Sequence, residues 1–448
     1  MKKVATILIS LLVGTAVYAQ TEVRWFVGLG AGTDEPTIAA HQQVVDAFNS
    51  SQNEIELVLE IVDNDQAYDV LATQIASGNA PDIVGPVGVR GRESFPGAWA
   101  DLTPYVEASN YDFSDFDSAL VDFYRTEDGL VGLPFAVFPS FIAYNIDLFD
   151  EAGLPYPPAA YGEPYIDENG EEKPWTIETL SELAMKQTVD TNGNDATMDE
   201  FDANNIVQWG FGAMWRDIRG RITMFGPGTF VDEAGNAVIP EHWRTGIAWY
   251  QDAMWNSHFH PNGPYGNSAL LGEGNWFDSG NLAMAHTQLW YQGCCMTSLE
   301  SDWDLAPMPS YDGTVTASLN ADTFSIPVTS DNQEAAFAVL SYLLSPEVSG
   351  ELAGIYGGMP ARISLQEGFL EGFGERLFPG AELNWQVAID SLGYPDSPNH
   401  EAALPGQREA EDRYIAFTQR LENEADFDVE AELELMLTDL QRIFDANR

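Results

Sequence analysis

The side chains able to do chemistry in this chain are mostly carboxylates: 70 Asp and Glu stand against 19 Lys and Arg, six histidines and two cysteines. Two carboxylates at a fixed separation make a glycosidase, and with so many acids counting alone neither finds nor dismisses such a pair. Other catalytic signatures are missing. No nucleophile elbow, phosphate loop or zinc helix occurs, and the histidines show no metal-ligand spacing. The glycine-rich Leu29–Gly32 stretch begins a dinucleotide fingerprint from Gly30, but Glu35 stands where its third small residue is needed. Asp190, Asn192 and Asn194 alternate like the donors of a calcium loop. That pattern then breaks, with Asp195 in place of the turn glycine and Phe201 in place of the closing glutamate. A turn-rich acidic loop is the preferred reading, and neither metal nor cofactor is expected.

Cys294 and Cys295 are adjacent. In an oxidising compartment they form a strained vicinal disulfide that stiffens a turn. The other readings are two inert thiols or an intermolecular bridge. This spacing offers no CxxC zinc or redox site. The twelve tryptophans are many, and planar rings are what carbohydrate C–H faces pack against, although most belong to the core or the outer surface.

These residues must be positioned by alternating strands and helices. Glu22–Leu29 and Glu54–Val62 read as strands, Pro36–Ser50 and Tyr68–Ser77 as helices, and Pro81–Val84 as a short buried strand. The alternation predicts a parallel α/β sheet with covering helices. Ligands bind such sheets beyond the carboxyl ends of the strands, which places Gly30–Asp34 and Gly85–Arg90 at a cleft. Further on, Ser140–Asn145 is a strand after a proline-stiffened run, and the helix that follows stops at Gly153. Thr176 caps another helix. Trp209–Gly212, Leu282–Trp290 and Trp303–Pro309 are strands, whereas Trp243–Trp255, Gln333–Leu344 and the amphipathic Glu409–Ala446 are helical.

The first residues fit a secretory signal: Lys2 and Lys3, an apolar Val4–Val17, and small residues before cleavage after Ala19. No cysteine lies near that site to carry a lipid, and no later run is long and apolar enough for a membrane span. A soluble periplasmic protein, not a lipoprotein, is expected. The remaining length suits two or three domains. A net charge of −51 repels nucleic acid and anionic membranes. Capture of a cationic ligand accounts for the charge, but a salty or alkaline habitat is preferred, because net charge reports on solubility more than on one site.

Seven segments in order resemble the extracellular solute-binding proteins of sugar-importing ABC transporters, the group that includes the maltodextrin-binding proteins. They are GNAPDIV (Gly78–Val84), GLPFAVFPSFIAYNIDLFDEAGLP (Gly132–Pro155), PWTIETLSELAMKQT (Pro174–Thr188), FDSGNLAMAHTQLW (Phe277–Trp290), WDLAPMP (Trp303–Pro309), EAAFAVLSYLLSPE (Glu334–Glu347) and YGGMPAR (Tyr356–Arg362). The resemblance implies an α/β, two-lobed periplasmic-binding-protein fold with three hinge crossings and an interlobe ligand cleft. The crossings fall near Phe135–Pro139, Pro309–Gly313 and Met359–Ser364. After a signal peptide at 1–19, the N-terminal lobe is 20–135 and 311–362, and the C-terminal lobe 136–310 and 363–448.

It further implies capture of a sugar or oligosaccharide and delivery of the closed complex to permease subunits, by a monomer that performs no reaction. By position, the implied ligand-facing residues are Thr33, Asp34, Arg90, Phe138, Ser140, Trp215, Trp290, Tyr291, Asp322 and Arg362, with Cys294 and Cys295 extending the Trp290 wall. Carboxylates and guanidinium groups bind vicinal hydroxyls bidentately. Each also has a bland role. Asp34 caps a helix, Arg90 pairs at the surface, Phe138 packs the hinge, and Asp322 shapes a turn. The alternatives in function are a binder of another solute such as a polyamine, and a carbohydrate-active enzyme.

Overall fold

The computed structural model describes residues 20–30, 35–126, 128–215, 217–296 and 298–447. The expected signal segment, Thr33 and Asp34 lie outside them. Two sheets organise two α/β lobes. The first takes strands β1 (Thr21–Val27), β2 (Ile55–Ile61), β3 (Ile83–Gly88), β4 (Leu133–Phe138), β10 (Asn320–Ser325) and β11 (Met359–Pro360), in the order β11-β4-β10-β3-β1-β2. The second takes β5 (Ser140–Asn145), β6 (Val189–Asp190), β7 (Ile206–Ala213), β8 (Leu282–Gln288) and β9 (Trp303–Ala306), in the order β6-β7-β8-β5-β9. Both sheets are mixed rather than purely parallel. Strands β1, β2 and β3 pair in parallel, as do β7 and β8, whereas β10 runs antiparallel to β3 and β4, and β5 antiparallel to β8.

This mixture puts one rim of each sheet against the cleft. The parallel strands end there (β3 at Gly88, β7 at Ala213, β8 at Gln288), and the antiparallel β5 and β10 begin there, at Ser140 and Asn320. A single residue, Pro139, joins β4 of the first sheet to β5 of the second, and its carbonyl accepts the Leu289 amide at 3.1 Å. The chain returns between Ala306 and Asn320, after a hairpin (Ser310–Tyr311 with Thr314–Val315) that packs on the second lobe. It leaves the first sheet again after Pro360, reaching the helix Gln386–Ser391 that packs on β5 and β9. The main apolar cluster is unbroken across Pro139, running from Val23, Trp25 and Phe135 to Phe141, Leu282 and Leu289.

The helices follow from spacing and caps. In α12 (Val429–Ala446), Val429, Leu433, Met436, Leu440 and Ile443 recur on one face and are all buried. The Asp428 carboxylate caps it by accepting the Ala431 amide at 3.1 Å, a contact worth about 1 kcal/mol. The continuous helix expected over Glu409–Ala446 is broken: α11 spans Gln407–Asn423, and residues 424–428 turn the chain back so that the two helices pack antiparallel. Helix α5 (Ile177–Gln187) lies so close to β7 that a Cβ on Gly210 would sit 1.8 Å from the Ala184 carbonyl oxygen. Only glycine fits there.

Candidate ligand-binding cleft

A cavity of about 230 Å³ lies between the rims of the two sheets. From the first lobe it receives Arg90, on the one-turn helix α3 (Val89–Glu93) that follows β3, and Asn320, the first residue of β10. From the second it receives Trp215 and Asp217 beyond β7, Gly220, Gln288 and Trp290 at the end of β8, and His400 with Glu401 from the loop before α11. A larger hollow of about 590 Å³ opens beside β9, but it is walled by the second lobe alone, largely by exposed residues such as Asp302, Pro379 and Glu382.

Trp215 and Trp290 form the aromatic wall. Their rings are 9° from parallel, with centroids 6.2 Å apart. Trp290 sits on the short helix α8 (Leu289–Cys294), not at the end of a longer strand as its apolar surroundings suggested. Gln288 closes β8 in extended geometry, and the Leu289 amide turns back to Pro139. The Trp290 indole donates to Gln288 Oε1 and to Asn320 Oδ1, both at 3.0 Å, the second bond crossing between lobes. Trp215 is half exposed and has φ +45°. That backbone costs an L-residue about 1–2 kcal/mol, and the surroundings hold it: the indole donates to the Gly274 carbonyl at 2.9 Å and meets the Tyr291 ring edge-on.

Charged groups surround this wall. Arg90 pairs with Glu411 of α11, and Arg408 of the same helix lies 3.7 Å from Asp69, so two ion pairs span the lobes. The Asp217 carboxylate accepts from the Gly220 amide at 2.9 Å and from the Tyr414 hydroxyl at 3.3 Å. Burial works against its charge, but the Gly220 amide and the Arg219 and Arg90 guanidinium groups hold its pKa below the usual carboxylate range. His400 is fixed by Asp396, which accepts both its Nδ1–H and its backbone amide at 2.7 Å. Asp322, two residues past Asn320, is pushed up to about 7 by burial and then by Glu401.

The residues singled out from the sequence divide accordingly. Arg90, Trp215 and Trp290 meet at the cavity, with Asp322 close behind Asn320. Four others serve elsewhere. Phe138 is buried against Gly358, where a Cβ would lie 2.7 Å from its ring. Ser140 is fully buried beside Ser318, with 3.4 Å between hydroxyl oxygens. Tyr291 is buried behind Trp215 and donates to Asn275 Oδ1 at 2.5 Å. Arg362 is spent inside the first lobe, donating to the Leu344 carbonyl at 2.7 Å, pairing with Asp115 at 3.2 Å and lying over the Phe116 ring. The sulphurs of Cys294 and Cys295 are in bonding contact, and the Cys295 carbonyl accepts from Asn275 at 2.9 Å. In the calcium-like loop, Asp190 accepts the amides of Asn192, Asn194 and Asp202 and the Asn194 side chain, so that its oxygens close a turn.

Asp217, Gln288, Asn320, His400, Glu401 and Glu411 were not read from the sequence. Gln288 carried a partial signal, since it lies near the end of the strand expected over Leu282–Trp290, whereas no strand was expected at Asn320. The His400–Glu411 stretch carried none.

Comparison with known proteins supports this architecture. Residues 43–370 match the family model of the bacterial extracellular solute-binding protein. No curated protein matches by sequence. Among solved structures, an ABC substrate-binding protein from Listeria monocytogenes in complex with cycloalternan superimposes with TM-score 0.71 at 19% identity, covering 95% of this chain and 99% of that one. UgpB from Mycobacterium tuberculosis, in complex with glycerophosphocholine, gives 0.70 at 16%, over 96% and 99%. A cyclic α-maltosyl-1,6-maltose binding protein from Arthrobacter globiformis gives 0.67 at 17%, over 95% and 100%. Two lobes, a cleft walled by both and a family match across most of its length make this chain a member of the bacterial extracellular solute-binding proteins.

Proposed function

We propose that this protein captures a carbohydrate in the interlobe cleft and hands the closed complex to the permease of an ABC transporter. The observation that carries the reading is the Trp215–Trp290 wall, standing over hydrogen-bonding groups contributed by both lobes. Flat indoles cover the C–H faces of a pyranose ring, while its hydroxyls meet fixed polar groups. The cavity is smaller than the ~300–1,000 Å³ of pockets for drug-sized ligands, which suits a short saccharide better than a long one. The binding proteins for cycloalternan and for cyclic maltosyl-maltose share the fold, and catalysis has no part in this reading.

Arg90, Asn320 and Asp322 act from one lobe, Trp215, Asp217, Gln288, Trp290 and Glu401 from the other. Ligand bridging them favours the closed arrangement by its higher affinity for it. The protein works as a periplasmic monomer released from its signal peptide after Ala19, with the lobes dividing at Pro139, between Ala306 and Asn320, and beyond Arg362. The test is a thermal-shift screen of the mature protein against mono- and oligosaccharides, with amino acids and polyamines as controls. Ligand that binds only the folded state raises Tm by mass action. A shift with one sugar class is expected; shifts confined to polyamines overturn the carbohydrate reading.

A further inference from the structure

Polar atoms left without partners at the cleft describe the ligand more narrowly than the aromatic wall does. Gln288 is 2% exposed and lines the cavity; its oxygen is used by Trp290, but its Nε2 donates to nothing among the described residues. Asp322 and Glu401 supply the opposite lack. A Cβ placed on Gly88 would stand 3.4 Å from Asp322 Oδ1 and 3.9 Å from Glu401 Oε2, so one carboxyl from each lobe converges over the same backbone atom. Neither side chain accepts a hydrogen bond among the described residues. Strand β10 puts Asp322 on the same face as cavity-lining Asn320.

The charge balance points the same way. Arg90 is paired with Glu411, Arg219 neutralises Asp217, and His400 is held by Asp396. Tyr68, Tyr124 and Tyr414, which also face this cluster, are held in their neutral form by burial, while Arg92 is paired with Glu93 and Arg408 with Asp69. Among the described residues Asp322 makes no ion pair, and Glu401 shares Arg90 with Glu411 and Asp217, so carboxyl groups are in excess at this corner of the cleft. Hydroxyl donors would satisfy their lone pairs but leave Asp322 disfavoured as an anion beside Glu401, whereas an N–H cation answers both. The indole faces beside them also attract a cation. A quaternary ammonium would meet the charge but has no hydrogen to donate.

We infer that the ligand is an amino sugar whose protonated amine sits between Asp322 and Glu401, while an oxygen of the same sugar accepts from Gln288 Nε2. The inference rests on the carbohydrate reading and narrows it. It carries a linkage consequence: Asp322, pushed up to about 7 in the free protein, is drawn down by the arriving cation and releases its proton.

Titration calorimetry of the mature protein with glucosamine, N-acetylglucosamine and glucose, and with their β-linked dimers, tests it at about pH 6.5, where a sugar amine is charged. The free-amine sugar is expected to bind at least tenfold more tightly than its acetylated or neutral counterpart, with an enthalpy that varies with buffer because a proton is released. The double variant D322N/E401Q, checked for folding by its melting curve, is expected to lose that preference. If the variant does not fold, proton release by the unaltered protein decides. Equal or tighter binding of the neutral sugars, or no proton release, overturns the amine while leaving the carbohydrate reading intact. Binding of spermidine with no sugar bound, or silence across the panel, overturns both.

Discussion

The two walls of the cleft are built on different principles. The first lobe offers polar groups and charge from its sheet rim, with Arg90 just past one strand end and Asn320 and Asp322 at the start of another. The second adds area to polar groups of its own, Asp217, Gln288 and Glu401: two parallel indoles, one with a left-handed backbone, braced from behind by Tyr291, Asn275 and Gly274. Burial of aromatic surface is the larger and less directional contribution to affinity, whereas partly exposed ion pairs contribute little on their own but depend sharply on geometry. Under the proposed function, most of the affinity comes from the second wall's aromatic area, and the polar groups of the first wall add contacts that only the closed arrangement completes.

This contrast is open to direct attack. Trp290→Ala removes half of the aromatic wall together with the indole bond to Asn320, and is expected to weaken ligand binding at least tenfold in calorimetry while the protein stays folded. Unchanged affinity in a folded variant removes Trp290 from the site. Arg90→Ala breaks the link to Glu411 across the lobes. A threefold to tenfold loss is expected, with a larger radius of gyration for the liganded protein in small-angle scattering; an unchanged scattering curve counts against a closing role. Asp322→Asn sharpens the electrostatic side. Burial and Glu401 raise the folded-state pKa of Asp322 to about 7 from an ordinary 3.8, so its neutral form is the favoured one. Its stabilising contribution is complete below the unfolded pKa and is lost as pH rises through about 7. The variant should flatten the decline of Tm between those limits, and an identical pH profile refutes the assignment. Arg362→Ala has the smallest effect on binding. It should lower Tm, because the Leu344 carbonyl and Asp115 lose their partner, yet leave affinity unchanged; a binding defect at constant Tm would return Arg362 to the cleft. The brace behind the aromatic wall is checked separately by intact mass, where a Cys294–Cys295 bridge leaves the chain two hydrogen atoms lighter than the dithiol and two alkylatable thiols dispose of it.

Legibility in the sequence followed the range of the interaction. Strands such as Ser140–Asn145 and helices such as Trp243–Trp255 were readable because their periodicity and stop signals are local. The break at residues 424–428 was not, since its polar residues continue an amphipathic pattern while tertiary packing of α12 on α11 turns the chain. Arg90, Trp215 and Trp290 do line the cavity: Arg90 falls in the stretch that the strand ends place at a cleft, and the two tryptophans are implied by the family resemblance. Arg362, implied by the same resemblance, misled: it follows a strand at a crossing, but its long side chain turns inward to Asp115 and Phe116. Glu401 and Glu411 were hidden by composition, being two acids among 70, and only the fold brings their loop and helix to a strand end more than 300 residues earlier. Gln288 and Asn320 carry no motif, and their role shows only in who donates to whom.

The single-residue link at Pro139 constrains how such a molecule moves. The ring fixes one backbone torsion of that residue, and the Leu289 amide on its carbonyl pins the peptide that follows to the second lobe. No slack is left at this point of the chain, so the lobes cannot slide past or draw apart there. Any rotation of one lobe against the other would have to turn close to this point, where Phe135, Phe141 and Leu289 belong to one continuous apolar seam. A cleft built on such a spine would open widest at the edge farthest from Pro139, leaving the contacts around the Leu289 amide in place.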